Sequence, residues 1–308
     1  AKAPFLIFNN YFRTYCLFSV LCSTPDISNN REEAKAPILG CKYIFNYLIA
    51  KTIIQKKSFI TFVIMNAVID IGNTFIKAAI FDNQNMIWNG KAKSKAFLEL
   101  FKATAQQHPD IKNLLYAASG KIDADLLEFL KANFNIIAFN HETPLRFKNC
   151  YQTPKTLGLD RLALVAAADK LYKHKNVLII DAGTCITYDL INKKSEYLGG
   201  NISPGLNMRF KALHNFTANL PLLTVENLKD FPIGKTTKDA ILNGVIQGVV
   251  YEIDQNIERY KSDFTDLTVI LTGGDQQYLS AQLKNSIFAN SNFQLIGLHA
   301  ILENLLND

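Results

Sequence analysis

The sequence lacks any arrangement of cysteines that would predict a disulfide framework or a structural zinc site. Its five cysteines form no C-x-x-C pair and no cluster with histidine at the spacing of a zinc site. This pattern is typical of a protein in a reducing cytoplasm. The sequence also lacks an uninterrupted apolar run of the ~18 residues that a membrane-spanning helix needs. We therefore expect a cytoplasmic protein that does not bind a membrane.

A basic surface of the kind that binds nucleic acid is also missing from most of the chain. The net charge is +6, but residues 1–64 hold eight Lys/Arg and only three Asp/Glu. The remaining residues carry 25 basic and 24 acidic side chains, so this part is almost neutral. We therefore predict no nucleic-acid partner.

Residues 1–64 differ from the rest of the chain and precede its first methionine, Met65. They do not show the basic start, apolar stretch and small-residue cleavage site of a signal peptide in that order. The interpretation that we favour is upstream sequence translated ahead of a start at Met65. The alternative is a genuine extension or a membrane-tethering segment.

From Met65 onward the pattern alternates between strands and helices, which predicts an α/β fold. Ala67–Ile71 and Phe75–Phe81 are predicted to form a hairpin, with a third strand in NMIWNGKA. Further strands are predicted in NLLYAAS, NIIAFN, NVLIIDAGTCITYDLI and LTVILTGGD, and helices in KAFLELFKATAQQH, ADLLEFLKANF, LDRLALVAAADKLYKHK, TKDAILNGVIQGVVYEIDQNIERY and GLHAILENLL.

One short pattern occurs twice, each time between two apolar strands. It is Asp-x-Gly, at Asp70 and again at Asp181, 111 residues further along. That separation is the size of a domain rather than of a solenoid repeat. We therefore predict two related α/β halves, residues 65–175 and 176–308.

The residue types in these two bends are those of a phosphate site with a cation. A glycine in a tight turn lets backbone N–H groups converge on an anion, and Asn or Thr side chains add donors. A carboxylate in the same bend would repel a bare phosphate, so it implies an intervening cation. Ordinary turn chemistry is the better explanation of a single such bend. The recurrence favours two bends that hold a metal–nucleotide between them.

A third carboxylate is predicted at the start of a helix, in the segment LGLDRLALVAAA. Asp160 and Arg161 follow Gly158 there. An acidic residue at this position could simply complement the helix dipole. Alternatively, an ionised aspartate could take a proton late in phosphoryl transfer, while Arg161 anchors a substrate oxygen. Two glycine-rich segments are less specific: 271–275 would allow close approach of a nucleoside, and 199–205 is predicted as a loop.

Five motifs occur in order: Asp-x-Gly-Asn-Thr, Gly-x-Asp-Arg, Asp-x-Gly-Thr, Gly-Gly-x-Ile-x-Pro-Gly and Thr-Gly-Gly-Asp. Together they resemble the type III pantothenate kinases, which belong to the acetate and sugar kinase/Hsp70/actin superfamily. The resemblance covers the chain from Met65 onward. It implies two tandem ribonuclease H-like (actin-like ATPase) domains, each a mixed sheet flanked by helices. It also implies ATP-dependent phosphorylation of pantothenate to 4'-phosphopantothenate, the first step of coenzyme A biosynthesis.

The resemblance further implies a role for individual residues. Asp160 would be the general base, Asp181 would bind K⁺ or NH₄⁺, and Asp70 would bind the Mg²⁺ that accompanies ATP. Thr237 would reach pantothenate from the other subunit of a homodimer, with the neighbouring Thr236 as the alternative. The implied ATP-binding residues are Asp70, Ile71, Gly72, Asn73, Thr74, Phe75, Ile76, Lys77, Thr184, Gly273 and Gly274. The implied pantothenate-binding residues are Tyr151, Gly158, Leu159, Asp160, Arg161 and Thr237.

The sequence departs from the family pattern in two places, and two other functions stay open. Cys185 stands where the family most often has alanine, a swap that we expect to be tolerated. Residues 116–123 lack the serine–valine loop expected after that strand. The alternatives are a non-catalytic relative that acts as a transcriptional accessory factor, and a superfamily kinase with another acceptor such as a sugar. The chain keeps Asp70, Asp160 and Asp181, which favours an active kinase.

Overall fold

Two β-sheets organise the part of the chain that the computed structural model describes, residues 65–72, 74–225 and 233–307. The predictions for residues 1–64 and for Asn73 lie outside these residues. The first sheet contains β1 (Met65–Ile71), β2 (Ile76–Asp82), β3 (Asn85–Ala92), β4 (Ile111–Ala118) and β5 (Asn135–Ala138). The second contains β6 (Lys148–Asn149), β7 (Asn176–Ala182), β8 (Cys185–Ile191), β9 (Glu196–Pro204), β10 (Leu267–Thr272) and β11 (Phe288–Ala289).

The two sheets repeat one topology. The first has the strand order β3-β2-β1-β4-β5, and the second has β11-β10-β7-β8-β9-β6. In each, three antiparallel strands are followed by two parallel ones, so β7 corresponds to β1 and β10 to β4. The second sheet has a sixth strand, β6, which pairs parallel with β9 at the opposite edge. Both sheets are therefore mixed, and the predicted internal repeat is present at the level of topology.

Helices flank both sheets. They are α1 (Ser94–Gln107), α2 (Ala124–Asn133), α3 (Leu159–Leu171), α4 (Leu206–Asn215), α5 (Thr237–Asp263), α6 (Gln276–Ser280) and α7 (Phe293–Asn307), with a 3₁₀ turn at Pro154–Thr156. The predicted α/β fold, with two mixed sheets flanked by helices, is confirmed. In the described ranges no helix combines the length and the apolar character required to cross a membrane.

Helices α3 and α7 pack against each other. Their contact is so close that a Cβ at Gly297 of α7 would lie 1.7 Å from the carbonyl oxygen of Ala163. Helix α3 is buried at eight consecutive residues, 161–168, which explains its alanine- and leucine-rich sequence. One apolar cluster joins these helices to both sheets, through residues such as Val68 and Ile179. The residues of the site that lie at the start of α3 are thus held by the common core.

The prediction of a loop at 199–205 is wrong, because residues 199–204 belong to β9. The glycines there serve close packing between strands rather than a turn. A Cβ at Gly200 would lie 1.5 Å from the carbonyl oxygen of Tyr188 on the neighbouring strand β8. Sequence reasoning missed this strand because glycine normally weakens strands.

Candidate active site

The first bend places Asp70 near the end of β1, directly across from Lys77 on β2. Burial raises the pKa of the Asp70 carboxyl to about 6, and the negative charge of Asp160 adds to this effect. The charge of Lys77 and a hydrogen bond from Gln294 oppose it. The Gly72 N–H donates to the Phe75 carbonyl at 3.2 Å and closes the bend.

The second bend places Asp181 at the matching position on β7, across from Thr187 on β8. Burial raises the pKa of this carboxyl to about 6, and Asp160, Asp189 and Asp70 add to the rise, while Lys77 opposes it. The bend continues into the exposed Thr184. Asp181 is therefore a half-buried carboxylate with no cation on its partner strand.

The three predicted carboxylates lie close enough to interact. Asp160 raises the pKa of both Asp70 and Asp181, and Lys77 lowers the pKa of both. The two bends and the start of α3 thus contribute to one charged site, although Asp70 and Asp181 come from different sheets. The structure brings together the residues on which the prediction depended most.

Asp160 lies in the first turn of α3, and its side chain is exposed. Its Oδ1 accepts a hydrogen bond from the Arg161 backbone N–H at 2.8 Å. A Cβ on Gly158, the N-cap residue, would lie 2.3 Å from that oxygen, so glycine leaves room for the carboxylate. Asp160 is thus an accessible carboxylate that can accept a proton.

Arg161, the next residue, points into the protein and is buried. Its Nε donates to Asp189 Oδ1 at 2.8 Å, and the hydroxyl of Tyr197 donates to the same oxygen at 2.7 Å. The guanidinium carbon lies 5.7 Å from the ring centroid of Tyr151. Sequence reasoning missed Asp189 and Tyr197. The sequence signal that could have identified Asp189 is its place within the mostly apolar strand segment TYDLI.

Two glycines follow β10 beside the second bend. Gly273 has a φ of 98°, and a Cβ there would lie 2.3 Å from both Asp181 Oδ1 and the Ala182 carbonyl oxygen. The Asp275 N–H donates to the same carbonyl at 2.9 Å. Gly273 therefore requires glycine for both its conformation and its space. Gly274 is exposed and has open space around its Cα.

The two candidate threonines differ in their roles at the start of α5. Thr236 is the N-cap, and its hydroxyl bonds with the backbone N–H and the carboxylate of Asp239, at 3.1 and 2.8 Å. Thr237 is the first helical residue and is exposed. The capping interaction uses Thr236, which leaves Thr237 as the threonine available to a ligand.

Within the described ranges, no three His, Cys, Asp or Glu side chains lie close enough together to hold a metal ion. The carboxylates of Asp70 and Asp181 are nevertheless oxygen donors suited to hard cations. Magnesium in nucleotide sites takes one or two protein carboxylates and completes its shell with phosphates and water. The donor set therefore fits a cation that arrives with a nucleotide.

Comparison with known proteins finds relatives that match most of the chain. The family model described as type III pantothenate kinase matches residues 66–259. A type III pantothenate kinase of Christiangramia forsetii is 52% identical over 239 residues, which cover 78% of this chain and 98% of that protein. One from Flavobacterium johnsoniae is 44% identical over 230 residues, covering 75% and 94%. A Campylobacter jejuni structure, assigned to the Baf family of transcriptional activators, superposes with a TM-score of 0.50 and 26% identity, covering 79% of this chain and all of that one.

Proposed function

The chain belongs to the type III pantothenate kinase family, and from this premise we propose how its two bends and the start of α3 carry out the reaction. The enzyme phosphorylates pantothenate at its primary hydroxyl with ATP and a divalent metal ion, and it forms 4'-phosphopantothenate for coenzyme A biosynthesis. The observation that carries the proposed mechanism is the mutual interaction of Asp70, Asp160 and Asp181 around Lys77.

The two bends bind the triphosphate in this proposal. Backbone N–H groups and Lys77 in the first bend, and Thr184 in the second, contact phosphate oxygens. Asp70 holds the magnesium ion and Asp181 holds a monovalent cation, K⁺ or NH₄⁺. These cations, when bound, offset the negative charge of the phosphates. The ATP-binding set is residues 70–77 with Thr184, Gly273 and Gly274, of which the two glycines admit the nucleoside.

Asp160 is the general base in this proposal. Its carboxylate is exposed, so an alcohol can reach it. An aspartate of this kind does not remove the alcohol proton in advance. In a loose phosphoryl-transfer transition state it orients the hydroxyl and accepts the proton as the new O–P bond forms. Most of the rate enhancement then comes from positioning and electrostatic stabilisation.

The acceptor pocket is formed by Tyr151 and residues 158–161, with Thr237 contributed by a second copy of the chain. The free side chain of Thr237 supports this assignment over Thr236. Homodimer formation is supported by exposed apolar side chains on β9, α4 and α5, namely Leu198, Ile202, Met208 and Tyr251. Association through such a surface is the usual route to a two-fold dimer. We place the enzyme in the cytoplasm, where its substrate ATP is found.

A coupled assay of ADP release tests the function. We expect rapid release with pantothenate, background release with a hexose or no acceptor, and stimulation by K⁺. Asp160→Asn should lower kcat by ~10²-fold or more while ATP binding, measured by calorimetry, stays close to that of the unmodified protein. ADP release with a hexose alone would identify another acceptor, and release with no acceptor dependence would contradict a pantothenate kinase. Normal turnover by Asp160→Asn would remove the assigned base.

A further inference from the structure

The mechanism above does not use Asp189, although this residue is the most deeply buried carboxylate near the site. It lies on β8 with no exposed surface, between Tyr188 and Leu190. A buried carboxylate is costly unless charged or polar partners compensate for its lost hydration. Arg161 and Tyr197 supply this compensation, and both donate to Oδ1. Asp189 is therefore held at a fixed position by two directional hydrogen bonds.

Arg161 connects the fixed Asp189 carboxylate to the ring of Tyr151. The guanidinium has almost no exposed surface, and its Nη2 lies 2.7 Å from Asp189 Oδ1. Its other contact is the face of the Tyr151 ring, 5.7 Å from the centroid. Arg161 thus bridges a buried anion and an aromatic ring, which are both favourable partners for a guanidinium.

Strand β9 holds the Tyr151 ring from the other side. Tyr197 stacks on it, with centroids 6.2 Å apart and planes at 15°. Gly199, two residues further along the strand, has a φ of 112°, and a Cβ there would lie 3.5 Å from the Tyr151 ring. Tyr197 therefore contacts both ends of the chain of interactions: its hydroxyl binds Asp189 and its ring supports Tyr151.

Two residues next to this buried network are accessible to a ligand. Tyr151 is partly exposed, and Asp160, which precedes Arg161 on α3, is exposed. We infer that Asp189 is a positioning residue for pantothenate: it anchors Arg161, which orients Tyr151 and fixes the first turn of α3. Arg161 then acts on pantothenate through Tyr151 and the α3 backbone. The inference rests on the proposed function and adds to it a residue that governs acceptor binding.

Two matched tyrosine substitutions test this role. Tyr197→Phe removes the hydroxyl that donates to Asp189. Tyr188→Phe removes a neighbouring hydroxyl on β8, which donates to Glu252 at 2.9 Å on the other side of the sheet. Each variant loses one hydrogen bond to a carboxylate. We expect Tyr197→Phe to raise the KM for pantothenate about 3- to 10-fold, with the KM for ATP unchanged. Tyr188→Phe should leave both KM values unchanged.

Asp189→Asn is the stronger test, because it leaves the Arg161 charge without its anion. We expect it to raise the KM for pantothenate at least about 10-fold, with a smaller effect on the KM for ATP. The inference is overturned if Tyr197→Phe and Tyr188→Phe behave alike, or if both KM values rise together while the melting temperature falls. The tyrosine pair decides the question if Asp189→Asn does not fold. Failure of the unmodified protein to release ADP with pantothenate would instead overturn the proposed function.

Discussion

The two aspartate bends share one backbone design. Asp70 and Asp181 are each the penultimate residue of the first strand of a hairpin. In each half, the carbonyl after the aspartate accepts a hydrogen bond from the loop that follows the next parallel strand. Ile71 accepts from the Ser119 N–H at 3.1 Å, and Ala182 accepts from the Asp275 N–H at 2.9 Å. The duplication therefore preserved the frame around each aspartate.

The side chains around the two aspartates differ. Asp70 faces Lys77 across its hairpin, whereas Asp181 faces Thr187. The first bend thus has a cation built into its own strands, and the second has none. Two half-buried carboxylates next to the proposed triphosphate site would need positive charge. This difference indicates why a monovalent cation would be required at the second bend and not at the first.

The loops that follow the parallel strands also differ. Ser119 comes directly after β4, but Gly273 and Gly274 come between β10 and Asp275. The second half thus has two extra residues here, and Gly273 packs closely against Asp181. The proposed nucleoside site lies beside these glycines. The two halves therefore differ in the loop next to each aspartate.

The largest expected effect is the loss of kcat/KM for ATP when either aspartate is replaced. Asp181→Asn and Asp70→Asn should each lower kcat/KM for ATP about 10²-fold, because each removes a charge that holds a cation. The two variants should differ in their response to cations. Stimulation by K⁺ relative to Na⁺ should disappear in Asp181→Asn and persist in Asp70→Asn. Persistent K⁺ stimulation in Asp181→Asn would contradict the assignment of the two bends.

The next largest effect concerns the two glycines that the loop after β10 has in addition to the loop after β4. Gly273→Ala should lower the free energy of unfolding by about 2–3 kcal/mol, because a Cβ there meets Asp181 Oδ1 and the Ala182 carbonyl oxygen at 2.3 Å and φ is positive. Gly274→Ala is the matched control, since no atom lies within 4 Å of its Cβ position. Urea unfolding measures both. Equal stability of the two variants would show that the loop tolerates a side chain at 273.

The sequence was sufficient to predict the duplicated fold and the two bends, because both depend on local patterns. Alternating apolar residues and turn residues identify a hairpin without knowledge of its neighbours. The sequence pattern at the start of α5 also distinguishes the two candidate threonines. Thr236 and Asp239 form the pattern that starts a helix, and it distinguishes the capping threonine from Thr237.

The sequence did not predict interactions that depend on how elements meet. The pairing of Arg161 with Asp189 joins residues 28 positions apart on a helix and a strand. Periodicity reports that a residue is buried, but not which charged residue lies beside it. For the same reason no pattern predicted that α7, the last helix, would pack against strands β1, β2 and β4 of the first sheet.

Helices α5 and α7 differ in the side chains that they bury, and this difference gives a third prediction. The buried face of α5 is entirely apolar, whereas the buried face of α7 contains His299. This ring stacks on Phe81 with centroids 3.9 Å apart, and its Nε2 has no partner among the described residues. Burial lowers the pKa of His299 to about 4; the charge of Glu303 opposes this shift and that of Lys170 adds to it.

The lowered pKa of His299 makes the folded protein less stable at acidic pH. Above pH ~6.5 the histidine is neutral in both the folded and the unfolded chain. Between pH ~6.5 and ~4 the unfolded chain takes up the proton and the folded chain does not. The free energy of unfolding therefore decreases as the pH is lowered through this range. The expected loss at pH 5 is about 2 kcal/mol. Urea unfolding of the unmodified chain and of His299→Phe at pH 7 and pH 5 isolates the histidine, because the two chains share every other titrating group. An identical pH dependence of the two would contradict the prediction.

The smallest expected effect tests the built-in cation of the first bend. Lys77→Met removes the charge opposite Asp70 and keeps most of the side-chain volume. Thr187→Val is the matched substitution at the corresponding position opposite Asp181. Lys77→Met should raise the KM for ATP about 10-fold, as expected for the loss of one charge near a phosphate, and Thr187→Val should change it less than about 2-fold. If the two variants raise the KM equally, the cross-strand residue does not distinguish the bends. The proposed K⁺ requirement would then have to arise from the backbone around Asp181 and not from the missing lysine.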